Sequence, residues 1–307
     1  MNAIVECENI TKRYGKITAV NNVSLSIVEG EVFGLVGPNG AGKTTLIEII
    51  EGLRSPDSGS VRLLEYNPTK DPDKVQEKIG VQLQTTSIQP NLKVNEAILL
   101  FASLYQQPLN DPNKLLKTLS LEEKANSRFR TLSGGQKQRL AIALALVNNP
   151  LVVFFDELST GLDPQARRKM WALIEEIKGQ GKTIFLTTHY MEEAQELCDR
   201  VGVIDYGKII ALDTPQNLIT SLDADSKVTF RVEDRVVSAT EFEKFPEVSQ
   251  VEIIEDDFVL YTRDENTTIR EIVRLADKQR FSLTGIRTEI PNMDDVFLKL
   301  TGRELRE

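Results

Sequence analysis

The chain has 307 residues, 40% of them hydrophobic and 27% charged, with a formal net charge of −9. That composition supports a large domain plus a small one and excludes a disordered or fibrous protein. No stretch approaches the roughly 18–20 apolar residues of a membrane span, and the acidic balance opposes non-specific nucleic-acid binding.

From the N-terminus, Met1-Asn2-Ala3-Ile4 leads into Glu6 and Glu8 without a basic-then-apolar signal pattern. The chain is therefore expected in the cytosol unless a partner holds it at a membrane. Strand-like pieces at 23–28 and 31–36 run into a glycine-rich turn and a helix at 43–51. Short strands are predicted at 59–64 and 78–83, the latter ending at Gln84. Helical spacing of apolar residues then dominates 94–105, 112–119 and 136–147. Alternation resumes with strands at 151–155, 183–186, 201–205 and 207–212, separated by helices at 164–178 and 191–198 and closed by a helix at 215–221. Fully apolar strands alternating with helices imply a parallel sheet covered on both faces. The helical block, about 85–150, reads as a subdomain inserted into that core.

Residues 223–226 are polar and turn-like. Beyond them, strands at 227–232, 248–255, 258–262 and 281–289 and helices at 268–279 and 293–300 predict a small α+β domain over 222–307. That segment holds 20 acidic and 13 basic side chains, net −7, against −2 for residues 1–221, which marks it as a separate unit. Cys7 and Cys198 have no metal-like or redox-like spacing and read as free thiols.

Three motifs carry chemistry. Gly37-Pro38-Asn39-Gly40-Ala41-Gly42-Lys43-Thr44 matches G-x-x-x-x-G-K-[ST] between a strand and a helix. The glycines let backbone N–H groups turn inward around phosphate oxygens, and the helix adds its positive end. Lys43 reaches the β- and γ-phosphates, Thr44 offers a hydroxyl to Mg²⁺, and Thr45 reaches the α-phosphate. This much says nucleotide triphosphatase, without saying which kind. Next, the apolar strand 151–155 ends in Asp156-Glu157, placing Asp156 at the carboxyl edge of the sheet to hold Mg²⁺ and Glu157 to accept a proton from attacking water. Finally, Leu132-Ser133-Gly134-Gly135-Gln136 opens a helix, again an anion-binding end. One chain has no spare phosphate for it, so two chains arranged head to tail would each offer Ser133 to the γ-phosphate held by the other.

Leu132–Gln136 and the order of these motifs resemble the ABC transporter ATPase family over residues 2–221. The resemblance implies a P-loop NTPase of ABC type: an α/β fold with a parallel-sheet core, an antiparallel β subdomain and an inserted helical subdomain. It implies ATP and Mg²⁺ as cofactors, pairing with a second such ATPase, identical or paralogous, and a separate multi-spanning permease that would hold the chain on the inner face of the membrane. Tyr14 matches the aromatic that stacks on adenine. Gln84, preferred over the nearby Gln82, matches the glutamine that senses Mg²⁺ and water. Residues 91–96 match the segment near the permease, with Lys93 replacing a commoner threonine. Thr160-Gly161-Leu162-Asp163 matches the loop that contacts the second subunit. His189, the one histidine, matches the switch histidine bridging γ-phosphate, water and the partner's loop. Leu158 stands where the family usually has proline, which is expected to loosen the turn after Glu157. Residues 294–303 resemble the C-terminal extension of daunorubicin-resistance-type exporter ATPases, implying an exporter of drug, antibiotic or lipid. An importer differs only in direction. A soluble ABC ATPase acting in nucleic-acid repair or translation is opposed by the single phosphate loop, the absence of long coiled coils and the acidic charge.

Overall fold

A computed structural model describes residues 3–82, 88–106, 111–234 and 236–302. Two compact units divide the chain: one runs to Leu218 and takes in the chain from Phe297, and the other is Ile219–Val296.

In the first unit, β1 (Ala3–Tyr14), β2 (Ile17–Val28) and β4 (Ser58–Leu63) form an antiparallel sheet in the order β2-β1-β4. β1 breaks the simple in–out alternation, since Asn9 takes φ 52° and the pairing with β2 shifts register between Cys7 and Ile10. The core is a six-stranded sheet in the order β5 (Ile79–Gln82), β6 (Val152–Asp156), β7 (Thr183–Thr188), β3 (Val32–Val36), β8 (Arg200–Asp205), β9 (Lys208–Asp213). All its pairings are parallel except β8 with β9. Every residue of β3, β6 and β7 is buried, which explains their unbroken apolar runs.

This strand order decides where the chemistry sits. β6, β7 and β3 are neighbours and parallel, so their carboxyl ends lie side by side. α1 (Lys43–Ile50) leaves β3 through the glycine turn. α6 (Pro164–Gly179) connects β6 to β7, and α7 (Met191–Leu197) follows β7. A short α2 (Pro72–Gln76) precedes β5, while α8 (Pro215–Thr220) follows β9.

The inserted block contains α3 (Val94–Ala102), α4 (Pro112–Thr118) and α5 (Gly134–Leu146). α5 packs on α3, α4 and β5 and is buried without interruption from Leu140 to Leu146, as expected of a helix covered on all sides.

The second unit holds an antiparallel sheet in the order β11 (Val248–Ile254), β12 (Asp257–Thr262), β10 (Ser226–Glu233), β13 (Ser282–Glu289). α9 (Glu265–Gln279) packs on β10 and β13. Its core contains Phe230, stacked on Phe258 at 5.6 Å and edge-on to Phe242 at 5.1 Å, with Leu260 and Ile272. The last helix is α10 (Met293–Thr301). The sequence had placed the division at 221/222 and the whole tail in the second unit; in the structure the cut falls after Leu218, and Phe297 onward groups with the first unit.

The contact between α5 and β5 is tight. A Cβ on Gly80 would stand 1.9 Å from the carbonyl oxygen of Ala145. Gly80→Ala is expected to cost about 1–3 kcal/mol by forcing helix and strand apart. Urea denaturation measures it, and an unchanged midpoint would show that the pair yields freely.

Candidate active site

The turn after β3 must reverse the chain against its neighbours. Gly42, the N-cap of α1, has φ 108°, and a Cβ there would stand 2.2 Å from the carbonyl oxygen of Ala19 on β2, so glycine is required. The antiparallel sheet is tied to this turn by Gly207 N–H donating to Ala41 (2.9 Å) and Asn21 N–H donating to Gly207 (2.8 Å). Tyr14 ends β1 and is 41% exposed, with the guanidinium of Arg54 5.7 Å and the ammonium of Lys12 5.9 Å from its ring centroid.

Lys43 is buried, and its ammonium donates to the carbonyls of Gly37 (2.8 Å) and Pro38 (3.3 Å). It lies 3.8 Å from Glu157 Oε1. Burial pushes the Lys43 ammonium down, and the nearby carboxylates Glu157 and Asp156 draw it back up. Asp156 ends β6, also buried. Burial raises its carboxyl, opposed by the Thr187 hydroxyl that donates to Oδ1; Glu157 raises it further and Lys43 lowers it. The exposed Thr44 reaches the other oxygen of Asp156 at 3.5 Å.

Glu157 takes a left-handed backbone, φ 51°, a conformation stored where the surroundings over-determine it. Its N–H donates to the carbonyl and the hydroxyl of Thr187, each at 3.1 Å. The next carbonyl, of Leu158, accepts from Gln138 Nε2 at 2.7 Å, and the Leu158 side chain is buried. The turn expected to be loose without proline is held by these bonds. His189 Nδ1 stands 3.7 Å from Glu157 Oε1.

Behind His189, Tyr190 packs against its ring at 4.2 Å and the Arg167 guanidinium covers Tyr190 at 4.1 Å. Glu193 on α7 is 1% exposed and accepts from the Trp171 indole at 3.2 Å. Its burial pushes the carboxyl up, and the Thr188, Ser159 and Trp171 groups draw it back. Sequence reasoning missed Thr187, Gln138, Arg167 and Glu193. The polar pair Thr187-Thr188 closing an otherwise apolar strand was the one available signal.

The structure thus brings Lys43, Thr44, Asp156, Glu157 and His189 together. Asn39 and Gly40 are exposed at the turn, while Gly37 and Ala41 are buried and Pro38 and Thr45 half-buried. Gln84 lies outside the described residues; Gln82 ends β5 and is buried. Ser133 caps α5, its hydroxyl accepting from Gln136 N–H (3.3 Å) while Gln136 Oε1 accepts from Ser133 N–H (2.9 Å). Ser133 and Gly134 are exposed, and Gly134 and Gly135 have open space where a Cβ would stand. Asp163 caps α6 through Ala166 N–H at 2.9 Å, with Thr160 and Gly161 exposed before it.

The donors suit Mg²⁺: the Thr44 hydroxyl and the Asp156 carboxylate, both hard oxygen, stand 3.5 Å apart beside the glycine turn. Among the described residues no cluster of three or more His, Cys, Asp or Glu could hold a metal ion.

The same unit has a second concave feature, a cleft of about 660 Å³ between the core and the helical insert. Leu53, Val81, Phe101, Leu104, Ala141 and Leu144 supply its apolar lining, and Glu51, Asp73 and Glu77 its acids. Of the leucines that line it, Leu53 and Leu104 are 55% and 70% exposed. Glu51 follows α1 directly and is 4% exposed. Burial pushes its carboxyl up to about 8, with help from Asp156 and Glu48.

Residues 20–160 match the family profile described as ABC transporter. "Nod factor export ATP-binding protein I" of Ralstonia nicotianae is 36% identical over 99% of this chain and 95% of its own length. "Linearmycin resistance ATP-binding protein LnrL" of Bacillus subtilis is 33% identical over 99% of this chain and all of its own. Among solved structures, a dimeric ATP-binding cassette in a post-hydrolysis state with ADP and Pi is 31% identical with TM-score 0.61, covering 68% of this chain and 98% of that one. Among the described residues no helix is long and apolar enough to cross a membrane.

Glu51 makes stability depend on pH. The ordinary value of 4.5 is raised to about 8 in the fold, so between those values the unfolded chain ionises first and the folded state loses ground as pH rises. Glu51→Gln is expected to be more stable than wild type at pH 8.5 by a few kcal/mol, on the order set by about 1.4 kcal/mol per unit, and to lose that advantage near pH 5. Thermal denaturation at both pH values measures it; a pH-independent difference would show that the carboxyl is not held protonated.

Proposed function

Because the chain belongs to the ATP-binding, ATP-hydrolysing subunits of exporter-type ABC transporters, we propose that Lys43, Asp156, Glu157 and His189 form its hydrolytic centre. One observation carries this reading: the ends of three adjacent parallel strands converge on a buried ammonium flanked by two carboxylates, with the histidine beside the second. Lys43 and backbone N–H groups of the glycine turn neutralise the phosphates. Tyr14 stacks on adenine. Thr44, Asp156 and Gln84 would hold Mg²⁺, which would neutralise charge on the phosphate oxygens. Glu157 takes the proton of the attacking water, and His189, 3.7 Å from it, holds that water and the γ-phosphate in line. Positioning and electrostatics then supply most of the rate.

The exposed start of α5 is read as half of a site completed by a second copy. Ser133, Gly134, Gly135 and Gln136 would close over the γ-phosphate bound by the partner, with Thr160–Asp163 lining the same interface. ATP makes those contacts only in the closed pair, so binding favours closure and hydrolysis releases it.

The cleft beside the helical insert is the proposed seat of a separate multi-spanning permease, because it is concave, largely apolar and rimmed by exposed leucines. The chain would lie against the cytoplasmic face of the membrane. Relatives named for Nod factor export and linearmycin resistance support the reading of an exporter, and a drug, antibiotic or lipid is the proposed cargo.

Glu157→Gln is expected to bind ATP, to dimerise in its presence, and to lose turnover by about 10²–10⁴-fold. Phosphate release and size-exclusion chromatography with ATP measure the two halves. Turnover like that of wild type would refute the general-base role, whereas loss of ATP binding would show that the substitution damaged the pocket.

A further inference from the structure

The cleft contains a polar feature that apolar docking leaves unexplained. Glu51 lines it, is 4% exposed, and its Oε2 is buried without a hydrogen-bond partner. A buried carboxyl oxygen left unmatched costs free energy, and each such group calls for an explanation. Two more acids stand on the same walls. Asp73 is exposed, and Glu77 accepts the backbone N–H of Gln106 at 3.2–3.3 Å. Among the described residues that line the cleft, none is lysine or arginine. Its floor and walls thus offer acceptors and negative charge inside an apolar lining of Leu53, Phe101, Leu104 and Leu144.

We propose that Glu51 is the recognition residue for a basic side chain, lysine or arginine, projecting from the amphipathic permease segment that docks in this cleft. The inference rests on the reading of the cleft as the permease seat and names the chemistry that makes docking selective. Apolar residues of the segment cover the exposed leucines, and its cation reaches past them to the unmatched oxygen. Burial fits this pairing. A carboxylate screened from water couples to a cation far more strongly than a surface pair does, and truncating one member of a desolvated pair costs much more than losing a rim charge. Asp73 and Glu77, nearer the mouth, draw the same sign of charge toward the cleft. A segment with an acid in that position would be rejected by all three.

The test uses the full chain with its permease, in membranes of the source cells. Leu104, 70% exposed at the rim, is replaced by the photo-crosslinker p-benzoylphenylalanine, and the attached peptide is identified by mass spectrometry. The expected peptide belongs to a multi-spanning protein, has apolar residues at helical spacing and contains lysine or arginine. Adding Glu51→Gln is expected to lower the crosslink yield at least about tenfold. Replacing the cation of the segment by alanine should do the same, with little further loss when both changes are combined. Glu51→Gln preserves shape and removes the group that would ionise against the cation, and circular dichroism and melting are the check that it folds. A crosslink to a membrane protein that is indifferent to Glu51→Gln, or whose segment lacks a cation, overturns the recognition role and leaves the docking reading standing. A crosslink only to a second copy of this chain, or none to any membrane protein, overturns the docking reading and the inference with it.

Discussion

The proposed nucleotide site depends on keeping one ammonium and two carboxylates together where water is scarce. Lys43 and Asp156 are each 5% exposed, and Glu157 is little more so. Burial pushes the Lys43 ammonium down and the Asp156 carboxyl up, and each draws the other back. The backbone completes the arrangement with two carbonyls on Lys43 and two Thr187 acceptors on the Glu157 N–H. A cluster of this kind tolerates the loss of one member badly, because the remainder is left buried and uncompensated. It is also preorganised: a phosphate arriving at the turn meets a field already in place.

That preorganisation is built by strand order. Had β7 not stood between β6 and β3, Thr187 could not donate to Asp156 while receiving the N–H of Glu157, and His189 would not follow at the same edge. The register pairs Asp156 with Thr187 and Val36 with Thr188, so all three strands stop at the same height. The left-handed backbone of Glu157 then turns its side chain toward Lys43 and His189. The cost of that conformation is met by the hydrogen bonds around it, including Gln138 reaching from the helical insert to the Leu158 carbonyl. The insert that carries Ser133–Gln136 is thereby joined to the loop that carries the proposed general base.

Much of this was legible in the sequence, for identifiable reasons. The strands around the site are fully buried and apolar through their middles, which makes them visible; the glycine turn, the paired acids and Leu132–Gln136 are dense local patterns. The rest was hidden by mixed signals. β1 carries Glu6, Glu8, Lys12 and Arg13 and is bent at Asn9, so neither alternation nor a continuous apolar run survives. α2 has five residues, too few for periodicity. Glu193 sits beside Glu192 in an ordinary acidic helix start, yet one is exposed and the other buried against Trp171. Only three-dimensional packing separates them. Leu158 misled in the other direction, since a missing proline says nothing of the bonds that replace it.

α1 joins the two halves of the unit's chemistry. Its N-terminal end presents backbone N–H groups, Lys43 and Thr44, where the helix dipole favours anions. Its C-terminal end carries Glu51, a carboxyl at the end where the dipole disfavours one, buried, and within the field of Asp156. Burial, dipole and a neighbouring like charge all act against ionisation there, and among the described residues none bonds to Oε2. A lone lapse would be removed easily by glutamine, which fits the same space. An acid at this position therefore makes physical sense as one half of an arrangement whose other half comes from outside the chain. The helix between it and the glycine turn is eight residues long and packed on β1, β2 and β4, so the proposed cation at one end and the proposed nucleotide at the other would share a single stiff element.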